Sequence, residues 1–113
     1  MILPMTPAES MFDNPEAAAA LNAACRRFGV VQLDVFGSAA TGHNFDPARS
    51  DLDVLVAFEP QPPISYADAY FGLREVLETL SGRPVDLLTE PALENPYLRE
   101  RIFAERRSLY SAR

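Results

Sequence analysis

The segment that decides the fold is Ser50–Val56, which reads Ser-Asp-Leu-Asp-Val-Leu-Val. An apolar run that opens on a pair of aspartates predicts a strand from about Asp51 to Phe58. Successive side chains of a strand point to opposite faces, so Asp51 and Asp53 lie on the same face. Two carboxylates held this close repel each other unless a cation lies between them, and oxygen ligands of this kind suit Mg²⁺ or Mn²⁺.

A glycine-serine turn lies upstream of the aspartate pair. Val30–Phe36 is predicted to be a strand that Gly37 ends, with a short helical turn over Ser38–Thr41. The backbone N–H groups of such a turn and the hydroxyl of Ser38 are ligands for phosphate. Together with the aspartate pair, they predict metal-assisted chemistry on a nucleotide.

A third carboxylate belongs to a third, short strand. Asp86 interrupts Pro84–Leu88, where an aspartate is otherwise disfavoured. If this strand lies beside the second, Asp86 meets Asp51 and Asp53 on one face, and three carboxylates can hold two divalent ions. The other interpretation, in which Asp86 merely points to water from an edge strand, stays open.

The predicted order of elements is helix, strand, strand, helix, strand, helix, with a last strand fragment near Ser108–Tyr110. Because only a loop joins the first two strands, we expect an α+β fold with a small mixed sheet and helices mainly on one face. Asp34 is expected on a wet face of the first strand. Residues 1–12 show no clear period and are expected to form a loose, flexible N-terminal arm, followed by a single domain over 13–113.

Composition narrows the function classes. The chain has 113 residues and a net charge of −6, which argues against direct nucleic-acid binding, where a basic surface supplies most of the affinity. It shows neither a signal peptide nor an apolar stretch of membrane-spanning length, so we expect a cytoplasmic protein with no membrane contact. The single cysteine, Cys25, fits a reducing compartment and a small buried position in a helix.

All ten basic residues are arginines, which excludes a phosphate-loop lysine, a Schiff-base lysine and a Ser-Lys dyad. Half of them lie in the last fifteen residues. They form either a solvated helix end favoured by the helix dipole or a basic patch for a partner or for phosphate. These residues are Arg99, Arg101, Arg106, Arg107 and Arg113.

The order of these motifs resembles the minimal nucleotidyltransferases of the DNA polymerase beta superfamily. The matching segments are Phe36–Gly42, Ser50–Asp53 and Pro84–Leu87. The resemblance extends from about residue 15 to the C-terminus. It implies a nucleotidyltransferase fold of the DNA polymerase beta type.

The resemblance also implies roles for individual residues. Gly37 and Ser38 would hold the triphosphate of ATP or another NTP, and Asp51 and Asp53 would bind Mg²⁺ or Mn²⁺. Asp86 would complete the metal site and act as general base if one is needed.

This chain departs from the family pattern at one position of the glycine-serine motif. Thr41 stands where the family often has arginine, and Arg49 from the long following loop is the expected replacement. His43, in the same loop, is expected to be plain surface.

The family implies an acceptor and a partner. With 113 residues the chain has no room for a second acceptor-binding domain, so the acceptor is expected to bring its own surface. The leading hypothesis is an antitoxin that transfers AMP from ATP to a tyrosine hydroxyl of a HEPN-domain toxin. A non-catalytic antitoxin that only binds its toxin, and transfer to a small molecule by a homodimer, are the other hypotheses. Monomer, homo-oligomer and hetero-oligomer all stay open.

Overall fold

The computed structural model describes residues 5–60 and 64–112, which form five α-helices, one 3-10 helix and four strands. They follow the predicted order with two additions, a short helix before the first predicted helix and the 3-10 helix between the third strand and the last helix. The helices are α1 (Pro7–Met11), α2 (Pro15–Arg27), α3 (Ser38–Thr41), α4 (Tyr66–Ser81) and α5 (Pro96–Glu105), and the 3-10 helix is Glu90–Glu94. The strands are β1 (Val30–Phe36), β2 (Leu52–Phe58), β3 (Val85–Leu88) and β4 (Arg107–Ser111).

The four strands form one mixed sheet in the order β3-β2-β1-β4. β1 runs antiparallel to both β2 and β4, whereas β2 runs parallel to β3, which it reaches through α4. The prediction of an α+β fold with a small mixed sheet is therefore confirmed. The order also sets the site, because β2 lies between the strand that ends in the glycine-serine turn and the strand that carries Asp86.

Helix boundaries follow the capping residues of the sequence. The Asn14 side chain accepts a hydrogen bond from the N–H of Glu16, and the Asn95 side chain caps α5 in the same way. Ser65 accepts from Asp68 at the start of α4, and Gly82 ends that helix with a positive φ of 69°. Among the residues that the structure describes, no helix is both long and apolar enough to cross a bilayer.

The main core covers one face of the sheet. Alternate residues of the strands point towards α2 and α4, as the period of two requires. Cys25 is fully buried in α2, as predicted, and burial raises the pKa of its thiol to about 12, so it behaves as an inert apolar group. The fully buried large side chains of this core are Leu33, Val35, Leu52, Val54, Val56, Leu73 and Leu77.

The opposite face carries a smaller apolar cluster. Phe36, Leu55 and Ile102 form it, so α5 packs on this side of the sheet. Asp53 lies two residues before Leu55 on β2 and therefore on the same face. Consequently α5, and not the helices of the main core, is the helix beside the aspartates.

Two expectations from the sequence are wrong over the described residues. Pro7–Met11 is helical, capped by Thr6, and Ala8 is completely buried against the main core, so the loose arm does not extend over this part; residues 1–4 lie outside the described residues. Asp34 is buried rather than wet, with 5% of its surface exposed. Its carboxylate accepts a hydrogen bond from Gln32 Nε2 (2.7 Å) and lies 3.9 Å from Arg106 Nη1. These partners compensate the loss of water.

Gly72 offers a test of how α4 docks on α2. A Cβ at this position would lie 2.6 Å from Cζ of the buried Phe28 ring. Helix propensity alone predicts that Gly72→Ala stabilises the protein by about 1 kcal/mol. We expect the opposite sign, a loss of about 1–3 kcal/mol, because the core is overpacked. Urea unfolding followed by circular dichroism measures the change.

The double variant Gly72→Ala/Phe28→Leu is the control for this prediction. Removing the ring makes room for the new methyl group, so the two substitutions should be clearly non-additive. If Gly72→Ala alone stabilises the protein, α4 is not held at the distance that the structure shows.

Candidate active site

The backbone at Gly37 brings the end of β1 against Asp53 of β2. Gly37 follows the last residue of β1 with φ 71° and ψ −154°, a conformation that side chains disfavour. A Cβ here would lie 2.5 Å from Asp53 Oδ2. Glycine is therefore required twice, for its conformation and for its lack of a side chain.

The sheet register brings the predicted carboxylates together. Asp53 is the partner of Phe36 on β1 and of Asp86 on β3. Asp51 precedes the first residue of β2 by one position and is exposed, as is Asp86. The expectation that β3 lies beside β2 thus holds, and Asp86 is both close to Asp53 and open to solvent.

The pKa of the Asp53 carboxyl is clearly shifted by this arrangement. Burial raises the pKa of its carboxyl above the ordinary value of 3.8, and repulsion from Asp86 adds to that rise. The Arg101 guanidinium partly offsets the shift in the pKa of Asp53, and weaker repulsion comes from Asp51 and Glu105. A half-buried carboxylate crowded by others is the chemical setting that a divalent cation relieves.

α5 contributes two residues that sequence reasoning did not assign to the site. Glu105 Oε2 accepts a hydrogen bond from the N–H of Gly37 at 2.9 Å. Arg101 Nε lies 3.5 Å from the same oxygen, one helical turn away. The spacing of four residues is visible in the sequence, but nothing in the sequence shows that this face of α5 meets the turn.

Arg83 fastens the loop that leads into the aspartate pair. Its guanidinium donates to the carbonyls of Ser50 and Pro47, both at 3.1 Å, and lies 4.8 Å from the centre of the Phe45 ring. The N–H of Leu52 also donates to the carbonyl of Pro84 at 3.0 Å. Residues just before β3 therefore fix the backbone on both sides of Asp51.

The other predicted site residues belong to α3 and to the loop between α3 and β2. Ser38 is the first residue of α3 and is half-buried. Arg49 is exposed in a turn of the loop, where its own N–H donates to the carbonyl of Asp46 at 3.1 Å. Thr41 Oγ1 accepts from the N–H of His43 at 3.1 Å, and His43 is exposed, as expected. The phosphate-binding roles of Gly37, Ser38 and Arg49 stay predictions.

The carboxylates supply the oxygen donors that Mg²⁺ prefers, but their side chains do not form a ready-made cage. Over residues 5–60 and 64–112, no three histidine, cysteine, aspartate or glutamate side chains are close enough together to hold a metal ion. The donor chemistry of Asp51, Asp53 and Asp86 fits a divalent cation. Metal binding by these three residues stays a prediction.

A strand that ends in a glycine-serine turn, packed against an Asp-x-Asp strand and a third acidic strand, defines a nucleotidyltransferase. The chain belongs to the nucleotidyltransferase domain family, whose model matches residues 18–109. The family expected from the sequence motifs is thereby confirmed.

Relatives and solved structures agree with this assignment. A Methanocaldococcus jannaschii protein named "Putative protein adenylyltransferase" is 34% identical over 76 residues, which is 67% of this chain and 73% of that protein. A solved "putative minimal nucleotidyltransferase" is 37% identical with a TM-score of 0.65, covering 91% of this chain and 95% of its own. A chain of a toxin–antitoxin structure with AMP-PNP shares the fold, at 18% identity and a TM-score of 0.58, covering 85% of this chain and 74% of its own.

Replacing Gly37 tests the close approach to Asp53. We expect Gly37→Ala to destabilise the fold by about 1–3 kcal/mol for the backbone strain of this glycine-only conformation and by about 1–3 kcal/mol more for the clash with the carboxylate. Gly82→Ala is the control for a positive φ alone, because Gly82 has φ 69° and ψ 25° and a Cβ there meets nothing within 4 Å. Equal losses in urea unfolding would show that neither the clash with Asp53 nor the different ψ of Gly37 adds to the cost.

The raised pKa of Asp53 predicts a dependence of stability on pH. The folded protein binds this proton more tightly than the unfolded chain, so stability is lost as pH rises from the ordinary value of 3.8 through the raised pKa. Without divalent cations, Asp53→Asn should raise the melting temperature at pH 7 by a few degrees. The difference should vanish below pH 3.8, where wild type is also uncharged at this position.

The same variant reports metal binding. Mg²⁺ should raise the melting temperature of wild type but not of Asp53→Asn, because a ligand that binds only the folded state stabilises it. Asp68→Asn, at the exposed start of α4, is the control and should respond to Mg²⁺ as wild type does. An unchanged Mg²⁺ response in Asp53→Asn would contradict a metal site at Asp53.

Proposed function

We propose that this protein is a metal-dependent protein adenylyltransferase and antitoxin, which transfers AMP from ATP to a hydroxyl, expected to be a tyrosine, of a HEPN-domain toxin. The observation that carries the proposal is the packing of the Gly37 turn against Asp53, with Asp86 in register beside it. The Gly37 turn and the two carboxylates thereby lie together at one end of the strands. This is what transfer of a nucleotidyl group requires.

In the proposed reaction, the acceptor hydroxyl attacks the α-phosphorus of ATP. A bond forms between the acceptor oxygen and that phosphorus, the bond from the α-phosphorus to the bridging oxygen breaks, and pyrophosphate leaves. Gly37 and Ser38 bind the phosphates and align them for in-line displacement. Asp86 receives the proton of the hydroxyl, a role that suits its exposed position beside Asp53.

Asp51 and Asp53 would hold Mg²⁺ or Mn²⁺, with Asp86 as a further ligand. When bound, the cation neutralises charge on the phosphates and polarises them for attack. The protein's own part is to keep the aspartates fixed: the register of β2 and β3 positions Asp53 and Asp86, while Arg83 fixes the backbone at Ser50 beside Asp51.

A protein acceptor is supported by the openness of the site and by the relatives. Asp51 and Asp86 are exposed, so an acceptor that brings its own surface can reach them. The relative from M. jannaschii is named for protein adenylylation, and a chain of a toxin–antitoxin structure shares the fold. These likenesses are the reason for choosing a toxin as the partner class.

Intact-mass spectrometry of a co-expressed HEPN-domain partner tests the proposal. We expect a mass increase by one or more AMP groups with wild type, and none with Asp51→Asn/Asp53→Asn, because that variant loses two metal ligands. The control is Asp13→Asn/Asp68→Asn, which removes the same charge from exposed positions outside the site and should modify the partner like wild type.

The binding-only antitoxin makes the opposite prediction. In that case the partner mass stays unchanged with wild type, a stable complex forms with both double variants, and both neutralise the toxin at equal dose. An unmodified partner that is nevertheless neutralised would therefore replace the enzymatic proposal with the binding one.

A further inference from the structure

An ion pair of α5, formed by Arg101 and Glu105, lies against the glycine-serine turn. The N–H of Gly37 donates to Glu105 Oε2 at 2.9 Å, and Arg101 Nε lies 3.5 Å from that oxygen. Arg101 Nη2 is also 3.5 Å from the point where a Gly37 Cβ would stand. The guanidinium thus lies across the open side of the turn, where an extra methyl group would touch it.

The Gly37 amide already binds an anionic oxygen in this arrangement. A backbone N–H that donates to a carboxylate is equally suited to donate to a phosphate oxygen, since both are charged acceptors. The carboxylate of Glu105 is in an unfavourable place, however, because it adds to the repulsion already acting on Asp53. Only the nearby guanidinium offsets this repulsion among the charged groups that act on Asp53 in the described part of the chain.

The ion pair between Arg101 and Glu105 can be broken at a small cost in free energy. The Arg101 side chain is 55% exposed and its contact with Glu105 is a single 3.5 Å approach through Nε. Exposed ion pairs of this kind contribute about 0–1 kcal/mol. Arginine has five N–H donors, so the guanidinium can bind a triphosphate through several of them at once.

Arg83, which lies just before β3 in sequence, already has other partners. Its guanidinium donates hydrogen bonds to the carbonyls of Ser50 and Pro47. Arg101, in contrast, acts directly on Asp53 and touches the turn.

We propose that Arg101 is the cationic ligand of the nucleotide's triphosphate, and that Glu105 holds the Gly37 amide only until a phosphate oxygen replaces it. The inference rests on the proposed nucleotide transfer and names the residue of α5 that recognises the donor. On binding, Arg101 exchanges one carboxylate for the charged phosphates. Glu105 is released to solvent.

Binding of α,β-methylene-ATP, in which the bond broken in AMP transfer is replaced by a stable one, tests the role of Arg101. Isothermal titration calorimetry with Mg²⁺ should show affinity lower by about 10- to 100-fold in Arg101→Gln, the equivalent of losing charge-assisted hydrogen bonds. Affinity for AMP should change less than about twofold, because AMP lacks the β- and γ-phosphates. Arg101→Lys should restore part of the loss as a point charge.

Arg99→Gln is the matched control. Arg99 lies on the same helix, is exposed, and is 5.2 Å from the centre of the Phe103 ring rather than at the turn. It should bind the analogue like wild type. If Arg101→Gln binds as tightly as wild type, or if Arg99→Gln is equally impaired, the role of Arg101 is overturned while nucleotide binding stands. If wild type binds no analogue, the proposed function fails together with the inference.

Glu105→Gln tests the second half of the proposal. The neutral amide competes less well for the Gly37 N–H, so affinity for the analogue should rise by about two- to tenfold. An unchanged or lower affinity would overturn the role of Glu105 as a place-holder. Melting curves of each free variant show that the variants are folded.

Discussion

The close approach of Gly37 to Asp53 is the contact on which the site depends. It requires a glycine at the end of β1, antiparallel pairing of β1 with β2, and the register that sets Phe36 opposite Asp53. Once these are fixed, the Gly37 turn and the carboxylates lie at the same end of the strands. Arg83 then holds the backbone beside Asp51, and α5 adds the charges of Arg101 and Glu105.

Much of this arrangement was readable from local patterns. The alternation in β1 and β2, the Asp-x-Asp spacing and the capping residues are short-range signals, so the strands and the helices of the main core followed from them. The pairing that sets Asp86 beside Asp53 was only one of two interpretations that the sequence left open. Burial of Cys25 followed in the same way. These features share one property: each depends on residues close in sequence, or on the period of two within a strand.

The features that the sequence did not predict depend on contacts between residues that are distant in sequence. Asp34 accepts a hydrogen bond from Gln32 on its own strand, but its charge is paired with Arg106, which is distant in sequence and is brought beside β1 only by the fold. The helix α1 has five residues and is held by burial of Ala8 rather than by a periodic pattern. Glu105 and Arg101 reach the turn only because Ile102, between them, packs under the sheet beside Phe36 and Leu55. The docking of α5 depends on tertiary packing, so the sequence left open whether its arginines form a solvated helix end or a basic patch for a partner or for phosphate.

The end of α5 affects how readily the sheet could pair with a strand of another chain. At Arg106 the chain turns from α5 into β4, which pairs along β1 and covers what would otherwise be its open edge. The new edge is only five residues long and begins with Arg107, and the opposite edge, β3, has four residues with an aspartate among them. Short, charged margins discourage strand-to-strand stacking of copies. Both margins of the sheet are therefore poor templates for adding a strand from another chain.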